Sequence, residues 1–224
     1  MLLLATDTSG KNGSIALARV TPGQSDVDLL EAVPLAGGTF SAQLVPQISA
    51  LLEKHGYHKS DLAGFAVVSG PGSFTGLRVG LAAIKALAEV LRKPIATVSL
   101  LEAVAWSGAT RGHVLAALDA GRGEVYAGDY QIDSQPHMHS ERVLTREQFV
   151  TESSGKTVIT PDPALGDIAR AAGIHAEQVS YPGPPVIARL GWSRLERGET
   201  VSPEALDANY IRRSDAEIFS KPKL

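Results

Sequence analysis

The chain has 224 residues, of which 44% are hydrophobic and 20% charged, and this composition excludes a disordered or collagen-like chain. Its 21 Lys and Arg residues against 24 Asp and Glu residues give a net charge of -3, so nucleic acid held by this chain alone is an unfavourable first hypothesis. The absence of cysteine excludes disulfides and thiolate chemistry. No apolar stretch approaches the ~20 residues of a membrane span, and no signal-peptide pattern follows Met1. We therefore expect a soluble, cytoplasmic protein.

The first half of the chain predicts strands and two helices. Strands are predicted over 2–5, 15–20, 29–35, 65–68 and 95–98. Apolar residues at three- and four-residue spacing predict a helix over Ser41–His55, with one arc formed by Leu44, Val45, Ile48, Leu51 and Leu52. A loop over Ser69–Gly76 then leads into a second helix over Leu77–Arg92.

The second half repeats the opening pattern. A strand, a turn containing Asp119, Gly121 and Arg122, and another strand follow the same order as the strands around Asp7. Asp119 follows Asp7 by 112 positions, half the chain length. We therefore expect a duplicated α/β fold with lobes over 1–106 and 107–224, the last segment packing back on the first lobe. The further elements predicted are a strand over 157–159 and helices over 165–172 and 186–197.

Residue types that can hold a phosphate occur in two turns and one loop. The loop Ser69–Gly76 precedes a helix, so its N–H groups and the Ser73 and Thr75 hydroxyls can face an anion, although it matches neither the P-loop nor the dinucleotide pattern. The turn at Asp7 can hold a phosphate and its magnesium. The alternative in each case is an ordinary turn. The candidate phosphate residues are Asp7, Thr8, Ser9, Gly72, Ser73, Thr75 and Asp119.

An unusually wide apolar surface is predicted on the second helix. Its charged residues, Arg78, Lys85, Glu89 and Arg92, fall within ~60° of one another at 100° per residue. A seam of mostly small residues lies opposite. Such a surface needs a second cover, either the neighbouring helix of the same lobe or another subunit. The interface candidates on the two helices are Leu44, Ile48, Leu51, Val79, Gly80, Ala83, Ile84 and Leu87.

The sequence contains no recognisable metal or nucleophile motif. None of the six histidines falls into a His-Glu-x-x-His arrangement, and no Gly-x-Ser-x-Gly elbow occurs. We expect no metal site and no catalytic nucleophile. Basic residues in the tail favour a solvated end over a phosphate contact; these are Arg212, Arg213, Lys221 and Lys223.

Three segments together carry a family likeness: Ala5–Ser9, Ser69–Gly80 and Leu118–Tyr126. They resemble the bacterial TsaB family, formerly called YeaZ, and Asn209-Tyr210-Ile211-Arg212 is similar to its C-terminal signature. The resemblance spans nearly the whole length.

The resemblance implies a two-lobed fold like actin and the sugar kinases, with ribonuclease H-like lobes. It also implies a role in making threonylcarbamoyladenosine beside the anticodon of tRNA. In that family this subunit is the non-catalytic partner of the related TsaD, which holds the metal and transfers the threonylcarbamoyl group. TsaE is the ATPase of the complex, TsaC makes the threonylcarbamoyl-adenylate, and TsaB also pairs with itself through helices of its first lobe.

The predicted first helix supports the non-catalytic role. The catalytic relative binds its metal through a histidine pair on that helix, whereas Ser41–Lys54 contains no histidine. Phe40-Ser41 stands where many family members have His-Ser or His-Thr. We expect no cofactor in the isolated chain, and Mg-ATP only through the partner complex.

The competing hypothesis is an enzyme, an ATPase or small-molecule kinase that uses Asp7, Thr8, Ser73 and Asp119 in a cleft between the lobes. The family was formerly described as a protease, but this sequence offers no nucleophile, base or metal motif for that activity. Substituting Val79 or Ile84 with Asp is the sequence-based test of the interface.

Overall fold

The computed structural model describes residues 1–211. The described residues exclude the tail cations Arg212, Arg213, Lys221 and Lys223. Arg212 is also the last residue of the C-terminal signature. Two five-stranded mixed sheets carry helices, which confirms the predicted α/β class.

The first sheet is built from strands of the first half of the chain. Its strands are β1 Leu2–Asp7, β2 Gly13–Val20, β3 Val27–Leu35, β4 Leu62–Gly70 and β5 Ile95–Ser99. Their order in the sheet is β3-β2-β1-β4-β5. The first three strands are antiparallel, whereas β4 and β5 run parallel to β1. The strand β1 is buried along its whole length, which explains its nearly continuous apolar sequence.

Three helices follow these strands: α1 Phe40–Lys54, α2 Phe74–Leu91 and α3 Leu100–Ser107. The first two pack against each other and against the first sheet. Phe65 and Val67 of β4 belong to the same apolar core as the buried residues of α1 and α2. Because side chains alternate along a strand, the intervening Ala66 points to the other face of the sheet.

The second sheet contains β6 Gly112–Gly121, β7 Glu124–Ile132, β8 Pro136–Thr145, β9 Thr157–Thr160 and β10 Ala176–Gln178. Helices α4 Arg146–Glu152 and α5 Pro163–Ala171 pack on it. Its order is β10-β9-β6-β7-β8. Replacing each strand by its counterpart in the first half gives the order of the first sheet, so the predicted duplication is confirmed by topology.

The last helix, α6 Pro184–Glu196, returns to the first sheet. It packs on β1, β4 and β5, and Gly191 lies against Ala66, on the sheet face that α1 and α2 leave free. Arg194 of this helix forms an ion pair with Glu102 at 2.8 Å and donates to the Thr97 carbonyl at 2.6 Å.

The chain divides into two compact units. The first unit comprises residues 1–103 and 180–208, and the second comprises 104–179 together with 209–211 of the described residues. The lobe boundary predicted from the sequence, between residues 106 and 107, differs from this division at two places. Residues 104–106 belong to the second unit, and 180–208 belong to the first because α6 buries its apolar side against β1 and β4.

The boundaries of α2 also differ from the sequence prediction. The helix begins at Phe74 rather than Leu77, and Ser73 is its N-cap, whose hydroxyl accepts a hydrogen bond from the Gly76 N–H. The predicted loop over Ser69–Gly76 is therefore a connection of only three residues after β4. Thr75 and Gly76 lie in the first helical turn.

Candidate functional site

The turn after β1 forms a local hydrogen-bonded structure around Asp7. The Ser9 N–H and the Ser9 hydroxyl both donate to Asp7 Oδ1, at 2.8 Å and 2.6 Å. Asp7 is only 5% exposed. Burial raises the pKa of the Asp7 carboxyl, although the two hydrogen bonds from Ser9 act in the opposite direction. Asp7 is thus engaged in its own turn.

The N-terminus of α2 is held by this same turn. The Ser73 N–H donates to the Ser9 carbonyl at 2.6 Å, and the Gly76 N–H donates to the Ser73 hydroxyl at 3.3 Å. These are two of the groups that a phosphate would use at a helix N-terminus. In this chain they bind an oxygen of the chain itself.

Three glycines explain how the turn and the helix approach so closely. Gly72, Gly76 and Gly80 follow one another at four-residue spacing, and a Cβ at each would collide with Ser9 or Thr8. At Gly72 it would lie 2.7 Å from Ser9 Cβ, and at Gly80 3.1 Å from Thr8 Cβ. None of the three has a positive φ. Close packing, rather than backbone conformation, therefore requires glycine here.

This packing bears on the small-residue seam opposite the charged residues of α2. The seam was expected to let another backbone come close, from the same lobe or from another subunit. At Gly76 and Gly80 the approaching atoms belong to Thr8 of the same chain, so that part of the seam is already covered.

Beside the α2 N-terminus lies a cavity of about 380 Å³. Its lining includes Lys11, Ser41, Ser73 and Thr75. One ammonium group and three hydroxyls form a suitable border for a small anion. Asp7, Thr8, Ser9 and Gly72 do not line it, although the sequence analysis grouped them with Ser73 and Thr75.

Asp119, the counterpart of Asp7, occupies the equivalent place at the end of β6 in the second unit. Its Oδ1 accepts from the Gly121 N–H at 3.0 Å, and its own N–H donates to Asp162 Oδ2 at 2.7 Å. The side chain is exposed. Unlike Asp7, it has no hydroxyl neighbour in the turn, because alanine follows it. The nucleotide site predicted between the lobes stays a prediction.

The predicted interface residues fall into two groups. Five are buried in the core of the first unit and cannot contact a partner as they stand: Leu44, Ile48, Leu51, Gly80 and Ile84. The other three are half-buried: Val79, Ala83 and Leu87. The prediction placed the buried arc of the helices on the outside, because helical periodicity shows that an apolar arc exists but not what covers it.

The apolar residues that do face solvent lie on an adjacent arc. On α2 these are Ala82, Ala86 and Val90, and on α1 Val45; we call these four residues the α1–α2 face. Val90 is 77% exposed and Val45 49%. At 100° per residue the three α2 positions lie within about 80° of one another. These three positions cluster on one side of the charged residues of α2. That clustering is the sequence signal that distinguishes them from the buried residues of the helix.

A cavity of about 610 Å³ borders this face. Val45, Leu52, Tyr57 and Leu87 contribute its apolar lining. Contiguous exposed apolar patches mark interaction sites, whereas single exposed apolar side chains are common on any protein surface. The α1–α2 face therefore has the chemical character of a docking surface.

Two relatives match this chain over almost their entire lengths. A tRNA threonylcarbamoyladenosine biosynthesis protein TsaB of Bacillus subtilis is 37% identical, covering 97% of this chain and 96% of its own. The TsaB protein of Escherichia coli is 30% identical and covers 96% of each chain. The chain belongs to the TsaB family.

Structural comparison agrees with membership of the TsaB family. YeaZ from Pseudomonas aeruginosa, at 26% identity, superposes with a TM-score of 0.75 over 92% of this chain and 98% of its own. A ROK family protein from Streptococcus pneumoniae, 10% identical, shares the fold with a TM-score of 0.53 over 89% of this chain and all of its own. The family model of TsaD, tRNA N6-adenosine threonylcarbamoyltransferase, matches residues 34–189.

Two further observations concern the helices of this TsaB family member. The helix α1 contains no histidine, so the histidine pair that the resemblance assigns to the catalytic relative has no counterpart there. Among residues 1–211, no helix has the length and apolarity that crossing a membrane would need.

Proposed function

We propose that this chain takes part in forming threonylcarbamoyladenosine in tRNA as an accessory subunit that makes and breaks no bonds itself. Its full-length similarity to proteins named for this pathway supports the pathway. The accessory role is supported by one structural observation above all. The N-terminus of α2 binds the Ser9 carbonyl, and a helix N-terminus is a place where a phosphate could otherwise bind.

The condition of the remaining candidate residues supports the same role. Asp7 is buried and accepts two hydrogen bonds from Ser9. Thr8 is buried against Gly80. We expect no cofactor in the isolated chain, and Mg-ATP only within the complex.

The partner in this proposal is the catalytic TsaD subunit, docked on the α1–α2 face. TsaE joins the pair, TsaC contributes only through its product, and a second copy of the chain takes the TsaD place when the chain is alone. The tRNA is the substrate of the complex rather than a ligand of this subunit, in agreement with the net charge of -3. Such a complex would work in the cytoplasm, where tRNA is modified.

The docking surface can be tested with charges placed on it. Ala86→Asp and Val90→Asp change exposed side chains, so both variants should fold. An unpaired charge buried in an apolar interface should weaken pairing with TsaD by about 3–5 kcal/mol, which exceeds 100-fold in the dissociation constant. Calorimetric titration with TsaD measures the change, and sedimentation of the chain alone measures self-pairing.

Ala164→Asp is the matched control for these variants. Ala164 is exposed on the first turn of α5 in the second unit, so the variant should bind TsaD like the parent chain. Unchanged affinity in both face variants would remove the docking surface from the proposal. Ile84→Asp, suggested by the sequence, is unsuitable because Ile84 is fully buried and its replacement would disrupt the core.

The competing enzyme hypothesis has a separate test. An isolated ATPase or kinase using Asp7, Thr8, Ser73 and Asp119 would bind Mg-ATP at micromolar concentration and turn it over. Calorimetry and phosphate release on the isolated chain should detect neither. Turnover that Ser73→Ala abolishes would overturn the accessory role, whereas nucleotide bound only in the presence of TsaD and TsaE supports it.

A further inference from the structure

Three side chains that can ligate a metal meet on the second sheet. His113 lies on β6, Asp129 on β7 and His139 on β8, and one ligand atom from each lies within 4.8 Å of the other two. His113 Nε2 is 2.6 Å from Asp129 Oδ1. The two imidazole rings meet edge to face, with 5.6 Å between their centroids. None of these residues belongs to the α1–α2 face or to the turn at Asp7.

An irregularity in strand pairing brings His139 to this position. Asp129 pairs with Ser140 and Tyr130 pairs with Met138, so His139 is an extra residue on β8 between two regular pairs. Such a bulge re-aims the side chain of the unpaired residue.

A fourth residue fixes the carboxylate of the cluster. Lys156 Nζ lies 2.6 Å from Asp129 Oδ2, so Lys156 and His113 take opposite oxygens of the same carboxylate. The side chains of Asp129 and Lys156 are only 14% and 12% exposed, whereas that of His113 is 45% exposed. Lys156 therefore holds the carboxylate from one side, and the accessible imidazoles lie on the other side. Residues that hydrogen-bond to a metal ligand orient it in the same way.

We propose that His113, Asp129 and His139 form a surface site for a divalent transition metal, with Zn²⁺ as the representative ion. Two imidazoles and one carboxylate suit zinc and its neighbours, whereas magnesium and calcium prefer sites made wholly of oxygen ligands. Three protein ligands leave the fourth tetrahedral position to water or to a group from another molecule.

The geometry requires only small movements. Zinc bonds of about 2.0–2.1 Å in a tetrahedron separate the ligand atoms by about 3.3 Å. The His113–Asp129 contact would open from 2.6 Å, and the other two separations already lie within 4.8 Å. Both imidazoles belong to exposed residues, so ring rotation supplies these shifts without disturbing the core.

A bound ion would join three neighbouring strands. The edge strand β8 would be tied to β7 and β6 at its bulge, and the second unit would unfold at higher temperature in proportion to the logarithm of metal concentration.

The test uses the full chain without a histidine tag and Zn²⁺ as the probe. Calorimetry should give one ion per chain, and thermal unfolding should shift upward with Zn²⁺ but not with Mg²⁺. His113→Ala and His139→Ala should each weaken Zn²⁺ binding by at least about 10-fold. Losing even a residue that only hydrogen-bonds to a metal ligand weakens metal affinity by about 10-fold or more. The matched control is His175→Ala, an exposed histidine outside the cluster, which should leave the affinity unchanged.

A second readout needs no substitution. Nuclear magnetic resonance of the imidazole nitrogens in the unmodified chain should show Zn²⁺-dependent shifts for His113 and His139. The proposal is overturned if Zn²⁺ does not bind saturably, if Mg²⁺ binds equally well, if His175→Ala weakens binding as much as His139→Ala does, or if other histidines shift instead.

Discussion

Replacing Gly80 with alanine tests whether the turn after β1 sets the distance at which α2 packs. A Cβ at Gly80 would lie 3.1 Å from Thr8 Cβ and 3.2 Å from Thr8 Cγ2, and closer still to Thr8 Oγ1. Carbon atoms in favourable contact are about 3.5–4.0 Å apart. The turn and the helix must therefore move apart to admit one methyl group.

Two effects of opposite sign decide the magnitude. Alanine is about 1 kcal/mol more favourable than glycine inside a helix, whereas overfilling a packed site costs about 1–3 kcal/mol. Thr8 is buried and β-branched, so its side chain cannot rotate freely away from the methyl group. We expect the clash to dominate, with a net loss of up to about 2 kcal/mol in the free energy of unfolding.

Urea unfolding of a set of variants isolates the contact. Thr8→Ala removes Oγ1 and Cγ2, so in that background Gly80→Ala should lose most of its cost, with a coupling energy of about 1–2 kcal/mol. Gly76→Ala is the matched control, because its Cβ meets the backbone oxygen of Thr8, which Thr8→Ala leaves in place. Its cost should persist in the Thr8→Ala background.

Either of two results would refute this reasoning. If Gly80→Ala stabilises the chain by about 1 kcal/mol, as at an open helical position, the turn does not limit the approach of α2. If Thr8→Ala rescues Gly76→Ala as well as it rescues Gly80→Ala, the effect is not the specific contact with the Thr8 side chain.

Three further substitutions have defined outcomes. Because burial raises the pKa of Asp7 above its ordinary value of 3.8, its neutral form stabilises the fold at low pH and this stabilisation is lost as the pH rises. Urea unfolding of Asp7→Asn should then show an advantage over the parent chain that grows as the pH rises above about 4; a constant difference would contradict it. Arg194→Ala removes one ion-pair partner of the buried Glu102 and should lower the free energy of unfolding by about 3–5 kcal/mol, measured by calorimetry. Most of that loss should be recovered in the double variant Glu102→Leu/Arg194→Met, and an equal loss in the double variant would rule out the buried charge of Glu102 as the cause. Thr145→Ala removes the N-cap of α4 and should cost about 0.5–2 kcal/mol in urea unfolding, with no loss expected if the cap is not formed in solution.

Much of the fold could be predicted from local patterns. The repeated order of strand, Asp-Gly turn and strand at Asp7 and Asp119 predicted the duplication, which the matching order of the two sheets confirms. The helices α1 and α2 were predicted to within a few residues, because their apolar spacing follows the helical period, whereas the short helix α3 was not predicted. The edge strand β8 was missed, since its polar sequence around His137 and His139 lacks the alternation of a half-buried strand.

The sequence by itself determined the α/β class, the duplicated plan and the glycine spacing on α2, because these depend on neighbours along the chain. Only the tertiary structure decided that Thr8 covers Gly76 and Gly80, that α6 packs on β1, β4 and β5, and that Val45 and Val90 rather than Leu44 and Ile84 face solvent. The physical reason is that periodicity defines an apolar arc on an element, whereas contacts between residues distant in sequence decide which surface covers that arc.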